Sequence, residues 1–194
     1  MPVNTLMNHL TFVPIPTAPL PLEVLSLLPT RFVAVKFYER YTWPLNEEVR
    51  DWCGALIGEL AKQIPVVIIG SAAHHDEHLD LTVEAPNVTS LLGRLPARDN
   101  LALQSAIIAK SDGFVGTYGG ILQLAVRLGK PVAGFYLHFK GTAPAHRVLV
   151  EQLAQQQGTS CFIGRPQDAE FLRPLLGVPL PLPTLPQSSG GTPQ

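Results

Sequence analysis

The sequence lacks most of the features that mark extracellular or membrane-spanning proteins. Of its 194 residues only two are cysteines, Cys53 and Cys161, and their wide separation fits neither a disulfide framework nor a Cys-x-x-Cys metal site. No run reaches the roughly 18 consecutive apolar residues of a transmembrane helix. The apolar N-terminus has no basic region and is interrupted by prolines, so it does not resemble a signal peptide. We therefore expect a cytoplasmic protein with two buried thiols.

Charge is also scarce in this chain. Charged residues make up 15% of it, the formal net charge is −1, and the lysines and arginines do not cluster. Proteins that bind the phosphate backbone of nucleic acids need a basic face that displaces counterions, so we expect no nucleic-acid partner. Hydrophobic residues, at 46% of the chain, are numerous enough for a core of ordinary size, and the length suggests one domain.

Prolines concentrate at the two ends of the chain. The composition divides it into a Pro-rich N-terminal segment (1–30), a folded domain (31–178) and a tail (179–194) that reads PLPLPTLPQSSGGTPQ. The tail is predicted to be disordered, because little in it can offset the entropy lost on ordering.

Between these ends, short apolar runs alternate with segments of helical periodicity. The run PVVIIG (65–70) is continuously apolar, which is typical of a strand buried on both faces. After Asn46, apolar residues instead recur at i, i+3, i+4 and i+7, and Glu47 and Glu48 occupy the first turn, which predicts a capped helix. The predicted strands are 31–37, 65–70, 87–93, 113–117, 131–136 and 160–164, and further helices are expected over 101–109 (capped by Asp99), 120–128, 143–157 and 167–176.

This alternation predicts an α/β fold. Unbroken apolar strands separated by helices form a Rossmann-like parallel sheet, here of about six strands, with helices on both faces. In such sheets ligands bind beyond the carboxyl ends of the strands.

The segment FVGTYGGILQLAVRLGKPVAGFY (114–136) carries the candidate site. Its loop, Gly116 to Gly120, ends a predicted strand and opens a predicted helix. Glycines permit positive φ and let the backbone approach a ligand closely, and a helix N-terminus suits a phosphate or diphosphate. A tight turn that uses glycine for steric reasons alone is the alternative. The loop is neither GxGxxG nor GxxxxGK[ST], which disfavours a classical dinucleotide fold and a P-loop NTPase.

Four blocks, in this order, resemble the C-terminal, nucleotide-sugar-binding half of a GT-B glycosyltransferase. They are FVAVKFYERYTWP (32–44), PVVIIGS (65–71), NVTSLLGRLPARDNLALQSAIIAKSDGFVGTYGGILQLAVRLGKPVAGFY (87–136) and the final β/α unit. The third block is similar to the pattern of heptosyltransferases and related bacterial enzymes, in which Gly-x-Pro and a strand follow the Gly-rich loop and its helix. The resemblance covers about residues 31–165 and is most specific over 101–136. UDP-sugar 2-epimerases share this half-fold, so the resemblance indicates nucleotide-sugar binding better than one reaction.

The resemblance also implies a set of site residues and a ligand. The ligand is a nucleoside-diphosphate sugar, bound as the donor substrate with no separate cofactor. Its diphosphate would be held by the loop residues Gly116, Thr117, Tyr118, Gly119 and Gly120.

Other residues are expected around this loop. Lys36 and Arg40, at or just beyond the end of the first strand, would reach the same phosphates and stabilise the leaving diphosphate. The loop GRLPARDN takes the base-recognition position, so Gly93 and Arg94 would border the nucleobase, and Gln123 would face the site one turn into the helix. Solvated surface positions are the alternatives for Lys36, Arg40 and Gln123.

We therefore expect the donor-binding domain of a GT-B glycosyltransferase, which transfers a sugar without a metal. Enzymes of this type hold the acceptor in a second, N-terminal domain, whereas only residues 1–30 precede the first predicted strand. The chain is then expected to be half of an enzyme, a truncated product, or a domain with a separate partner or a second copy. Whether it is an enzyme by itself stays open. The alternatives are a non-catalytic binding or interaction module without its acceptor domain, and half of a sugar-nucleotide epimerase.

The segment SAAHHDEHLDL (71–81) gathers histidines and carboxylates just after the second predicted strand. His74 and His78 can share a helical face and bind zinc with a carboxylate, but the order is not H-E-x-x-H, and we expect a solvated loop without metal. The resemblance gives a second use, in which Asp76 and His78 touch the sugar or the acceptor. His138 and His146, which flank the exit of the fifth strand, are interpreted as surface histidines, with contact to the phosphates as the alternative.

Overall fold

The computed structural model describes residues 15–70, 79–138 and 144–172 and contains one six-stranded sheet. All strand pairs in the sheet are parallel, and their order is β3-β2-β1-β4-β5-β6. The predicted α/β fold is thus confirmed. The strands are β1 (Val33–Lys36), β2 (Val66–Ile68), β3 (Val88–Ser90), β4 (Gly113–Thr117), β5 (Val132–Phe135) and β6 (Cys161–Gly164).

The helices run between the strands, as the alternation predicts. They are α1 (Leu22–Leu25), α2 (Glu47–Ala61), α3 (Asn100–Lys110), α4 (Gly120–Arg127) and α5 (Pro144–Gln156), with 3₁₀ turns at Ala97–Asp99 and Pro166–Leu172. None of the helices in the described ranges is long and apolar enough to cross a membrane.

The two predicted helix caps have different outcomes. The side chain of Asn46 accepts a hydrogen bond from the amide of Val49 at 2.9 Å, which confirms the first cap. Asp99 makes no side-chain cap hydrogen bond, because it already belongs to the 3₁₀ turn that leads into α3. At the start of α3 a polar bond is made one residue later, where Gln104 Nε2 donates to Asn100 Oδ1 at 2.8 Å.

The Pro-rich N-terminal segment contains the short helix α1. None of the four residues of this helix is a proline, since the prolines of the segment lie at or before position 21 and at position 29. One predicted helix differs from the structure. The helix expected over 167–176 is a 3₁₀ helix over Pro166–Leu172, and residues 173–178 lie outside the described ranges. So do residues 1–14 and the predicted tail.

The core has two parts, one on each face of the sheet. Alternate strand residues point to opposite faces, so Ala34 packs into one part and Val33 and Val35 into the other. The first part is covered by α1, α3, α4 and α5, and the second by α2 and the chain that leads into it. Helices therefore cover both faces, and the carboxyl ends of the strands are left to the loops that form the candidate site.

Candidate functional site

The order of the strands reverses between β1 and β4. From β1 the chain proceeds outward to β2 and β3, and it then returns to β4 on the other side of β1. Ligands of open α/β sheets bind at such a switch point, beyond the carboxyl ends of the two strands. Lys36 pairs with Gly116 at that end, so the loop after β1 and the Gly-rich loop after β4 lie side by side.

Two of the loop glycines have a steric explanation inside the protein. A Cβ atom on Gly116 would overlap the carbonyl oxygen of Lys36, and one on Gly119 would overlap the hydroxyl of Tyr38. Neither residue has positive φ, and Gly119 is extended at φ 179°. Positive φ is therefore not the reason for glycine at these two positions. These two glycines allow close packing of β1, and of the chain after it, against the loop.

Gly120 has a different environment. It is the first residue of α4, it is exposed, and a Cβ added there would meet no atom within 4 Å. The first hydrogen bond of the helix runs from the amide of Gln123 to the carbonyl of Gly119 at 3.1 Å. The amides of residues 120–122 therefore have no partner inside the helix, as at every helix N-terminus. An exposed helix N-terminus of this kind can bind an anion.

Thr117 and Tyr118 join the loop to the rest of the protein. The amide of Tyr38 donates to Thr117 Oγ1 at 3.1 Å, and the Thr117 hydroxyl lies 3.3 Å from the carbonyl of Tyr38. Both Thr117 and Tyr118 are buried, so their side chains do not face solvent. Their predicted contribution to ligand binding is limited to the backbone of the loop.

Arg40 lies against the Gly-rich loop. Its Nη1 atom donates to the carbonyl of Tyr118 at 3.2 Å. The backbone of Arg40 is fixed by a tight turn, because Arg40 and Trp43 exchange hydrogen bonds of 3.1 and 2.8 Å. Trp43 is fully buried, and its ring stacks on Phe37 at 5.8 Å between ring centroids. Among the described residues no carboxylate forms an ion pair with Arg40, so its charge is available to an anion.

Lys36 is engaged inside the protein instead. Its Nζ lies 3.5 Å from Asp80 Oδ1 and donates to Gln104 Oε1 at 3.2 Å. The side chains of Lys36 and Asp80 are only 11% and 6% exposed. Burial lowers the pKa of Lys36, and the charge and hydrogen bond of Asp80 partly oppose that shift. Lys36 thus lies at the switch point, as expected, but its ammonium is held by a protein carboxylate, and the solvated position considered as the alternative does not apply.

The other predicted site residues lie farther from the contact between Arg40 and the Gly-rich loop or make no contact, among the described residues, that points to a ligand. Gly93 and Arg94 are exposed and follow β3, the edge strand of the sheet. Gly93 has φ 75° and lies in a turn closed by a 3.0 Å bond from the amide of Arg94 to the carbonyl of Leu91, so glycine has a conformational reason there. Gln123 is half-buried in α4. His138 and His146 are exposed, which confirms them as surface histidines.

The sequence did not identify Asp80 and Tyr38 as residues of the site. Asp80 belongs to the predicted His and Asp segment, of which residues 71–78 lie outside the described ranges. Tyr38 lies between Lys36 and Arg40 in the sequence. Alternate residues of an extended chain face the same side, so the spacing of residues 36, 38 and 40 could have indicated that Tyr38 lies beside the two cations.

In comparisons with known proteins, no family model matches the chain and no curated protein matches it significantly. The similarity to the donor half of GT-B enzymes therefore depends on the sequence blocks quoted above.

Proposed function

We propose that the chain binds a nucleoside-diphosphate sugar, with the diphosphate at the N-terminus of α4, as the donor-binding half of a GT-B-type glycosyltransferase. The observation that supports this most directly is the junction of Arg40 with the Gly-rich loop at the β1/β4 switch point. A guanidinium and a helix N-terminus together present several donors and positive charge, which complement a diphosphate.

Gly120 supports the same proposal. Packing explains Gly116 and Gly119, but nothing within 4 Å explains a glycine at position 120. Glycine is favoured where the backbone approaches a ligand closely. A ligand that approaches the backbone closely at this position accounts for the missing side chain.

The proposal assigns the charge at the diphosphate to Arg40 and not to Lys36. Lys36 is held by Asp80, whereas Arg40 carries no ion pair among the described residues. In sugar transfer Arg40 would stabilise the negative charge that develops on the leaving diphosphate. Asp80, one carboxylate at the site, is paired with Lys36. A non-catalytic binding module is the second candidate, and it shares the same anion site.

The test is a calorimetric titration of the purified chain with UDP, GDP, ADP and CMP. We expect one nucleoside diphosphate to bind and its nucleoside to bind far more weakly. Arg40→Gln should lose about 1.5–3 kcal/mol of binding free energy, the contribution of a hydrogen bond to a charged group, which is a roughly ten- to hundredfold rise in Kd.

Arg127→Gln is the matched control, because Arg127 is exposed at the opposite end of the same helix. Its affinity should equal that of the wild type. Equal binding by the Arg40→Gln and wild-type chains, or no binding of any diphosphate, would contradict the proposal. Release of free sugar from the matching nucleotide sugar, followed by NMR, then distinguishes an enzyme from a binding module.

A further inference from the structure

The hydroxyl of Tyr38 and the guanidinium of Arg40 pack on the same side of Gly119. A Cβ on Gly119 would overlap the Tyr38 hydroxyl and would lie 3.0 Å from Arg40 Nη1. Only glycine at position 119 therefore leaves room for both the Tyr38 hydroxyl and the Arg40 guanidinium. The three residues form one contact between the chain after β1 and the Gly-rich loop.

One hydrogen bond anchors Arg40 in this contact. Its guanidinium, which only donates, donates to the carbonyl of Tyr118 at 3.2 Å. The Tyr38 hydroxyl lies beside the same guanidinium, because both groups border the Cβ position of Gly119, and its oxygen can accept from a second N–H.

Tyr38 can act as such an anchor because it is immobilised itself. Its side chain is buried and its backbone is bonded to Thr117 in both directions. Burial also raises the pKa of the Tyr38 phenol above its ordinary value, so the hydroxyl stays neutral over the physiological range.

We propose that Tyr38 is a positioning residue whose hydroxyl holds Arg40 on the Gly-rich loop and thereby sets the affinity of the loop for a diphosphate. This inference rests on the proposed function for its ligand. Without the hydroxyl, Arg40 keeps its charge and its bond to the Tyr118 carbonyl but loses the oxygen that lies beside it. The guanidinium then has to be ordered when the anion binds, and ordering a long side chain weakens the affinity.

The steric part is tested without any ligand. Gly119→Ala should lower Tm, because the new Cβ overlaps the Tyr38 hydroxyl. Tyr38→Phe combined with Gly119→Ala should recover most of that loss, since the nearest remaining ring carbon, Tyr38 Cζ, lies 3.4 Å from the Cβ position. A double variant that melts as low as Gly119→Ala would overturn this contact.

The positioning part has two readouts. In NMR spectra of ¹⁵N-arginine-labelled protein, we expect separate, slowly rotating Nη–H signals for Arg40 in the wild type and averaged signals in Tyr38→Phe. In calorimetry, Tyr38→Phe should bind inorganic pyrophosphate about tenfold more weakly than the wild type, which is the contribution of one hydrogen bond to a charged group. Its Tm should be nearly unchanged. Tyr41→Phe removes a hydroxyl from an exposed tyrosine of the same loop and should change neither readout.

The outcomes separate this inference from the proposed function. If the wild type binds pyrophosphate and Tyr38→Phe binds it equally well, the inference is wrong and the proposed site stands. If the wild type binds no diphosphate, the proposed function is wrong. The arginine spectra then decide the remaining point, because unchanged Arg40 signals in Tyr38→Phe would show that the hydroxyl does not hold the guanidinium.

Discussion

At the scale of single residues, Lys36 and Asp80 illustrate how a predicted ligand-binding side chain can serve the fold. Both side chains are largely buried and their charged atoms are 3.5 Å apart. Removal of one partner takes its opposite charge away from a largely buried site, which typically costs about 3–5 kcal/mol. Removal of both partners avoids that penalty. The stability of the fold is therefore expected to depend on the pair more than on either residue.

We predict that Lys36→Met lowers the free energy of unfolding by about 3 kcal/mol in urea denaturation at pH 7. The double variant Lys36→Met/Asp80→Asn should recover most of this loss. Lys110→Met is the control, because Lys110 is exposed at the end of α3. A Lys36→Met variant as stable as the control would contradict the role of the pair.

The same pair has a predicted pH dependence. The pKa of Lys36 is lowered in the folded state from its model-compound value of 10.5. Between these two pKa values the unfolded chain binds more protons than the folded one, so the contribution of Lys36 to stability rises with pH in this alkaline window. The stability of the wild type relative to the double variant should accordingly increase as the pH rises towards 10.5, and a decrease would contradict the assigned direction.

At the scale of the elements, the sequence predicted strands and α-helices well wherever local chemistry decides the structure. Continuous apolar runs predicted β1, β2, β4 and β5, and Asn46 followed by two glutamates predicted the start of α2. Asp99 has the same cap chemistry, but the chain before α3 winds into a 3₁₀ turn and its side chain makes no cap bond. That geometry depends on how the loop after β3 packs, which a residue type does not specify.

Asn46 and Asp99 can be compared directly, because both were predicted as helix caps and only Asn46 makes a cap hydrogen bond. Asn46→Ala should lower the free energy of unfolding by about 1 kcal/mol, because the amide of Val49 loses its acceptor. Asp99→Ala should change it by only a few tenths of a kcal/mol, which is typical of exposed substitutions. Thermal melts of both variants check the difference, and equal losses would argue against the assigned capping geometry.

At the scale of the whole molecule, the strand order was not predicted, yet it is what brings the site together. Residues 36 to 40 and 116 to 120 are distant in the sequence, and they become neighbours because β1 and β4 pair. The alternation of strands and helices predicted a parallel sheet and loops at its carboxyl edge. It could not show that Asp80 would hold Lys36, or that Tyr38 would fill the space beside Gly119, since both depend on packing between distant segments.

A titration of ¹⁵N-glycine-labelled protein with a nucleoside diphosphate, followed by amide NMR, shows where the diphosphate binds. We expect the amides of Gly119 and Gly120, at the N-terminus of α4, to shift as the site saturates. Gly129 and Gly158, in turns that precede β5 and β6 at the opposite edge of the sheet, should not shift. Unmoved Gly119 and Gly120 signals while the ligand binds would contradict the claim that this loop holds the diphosphate.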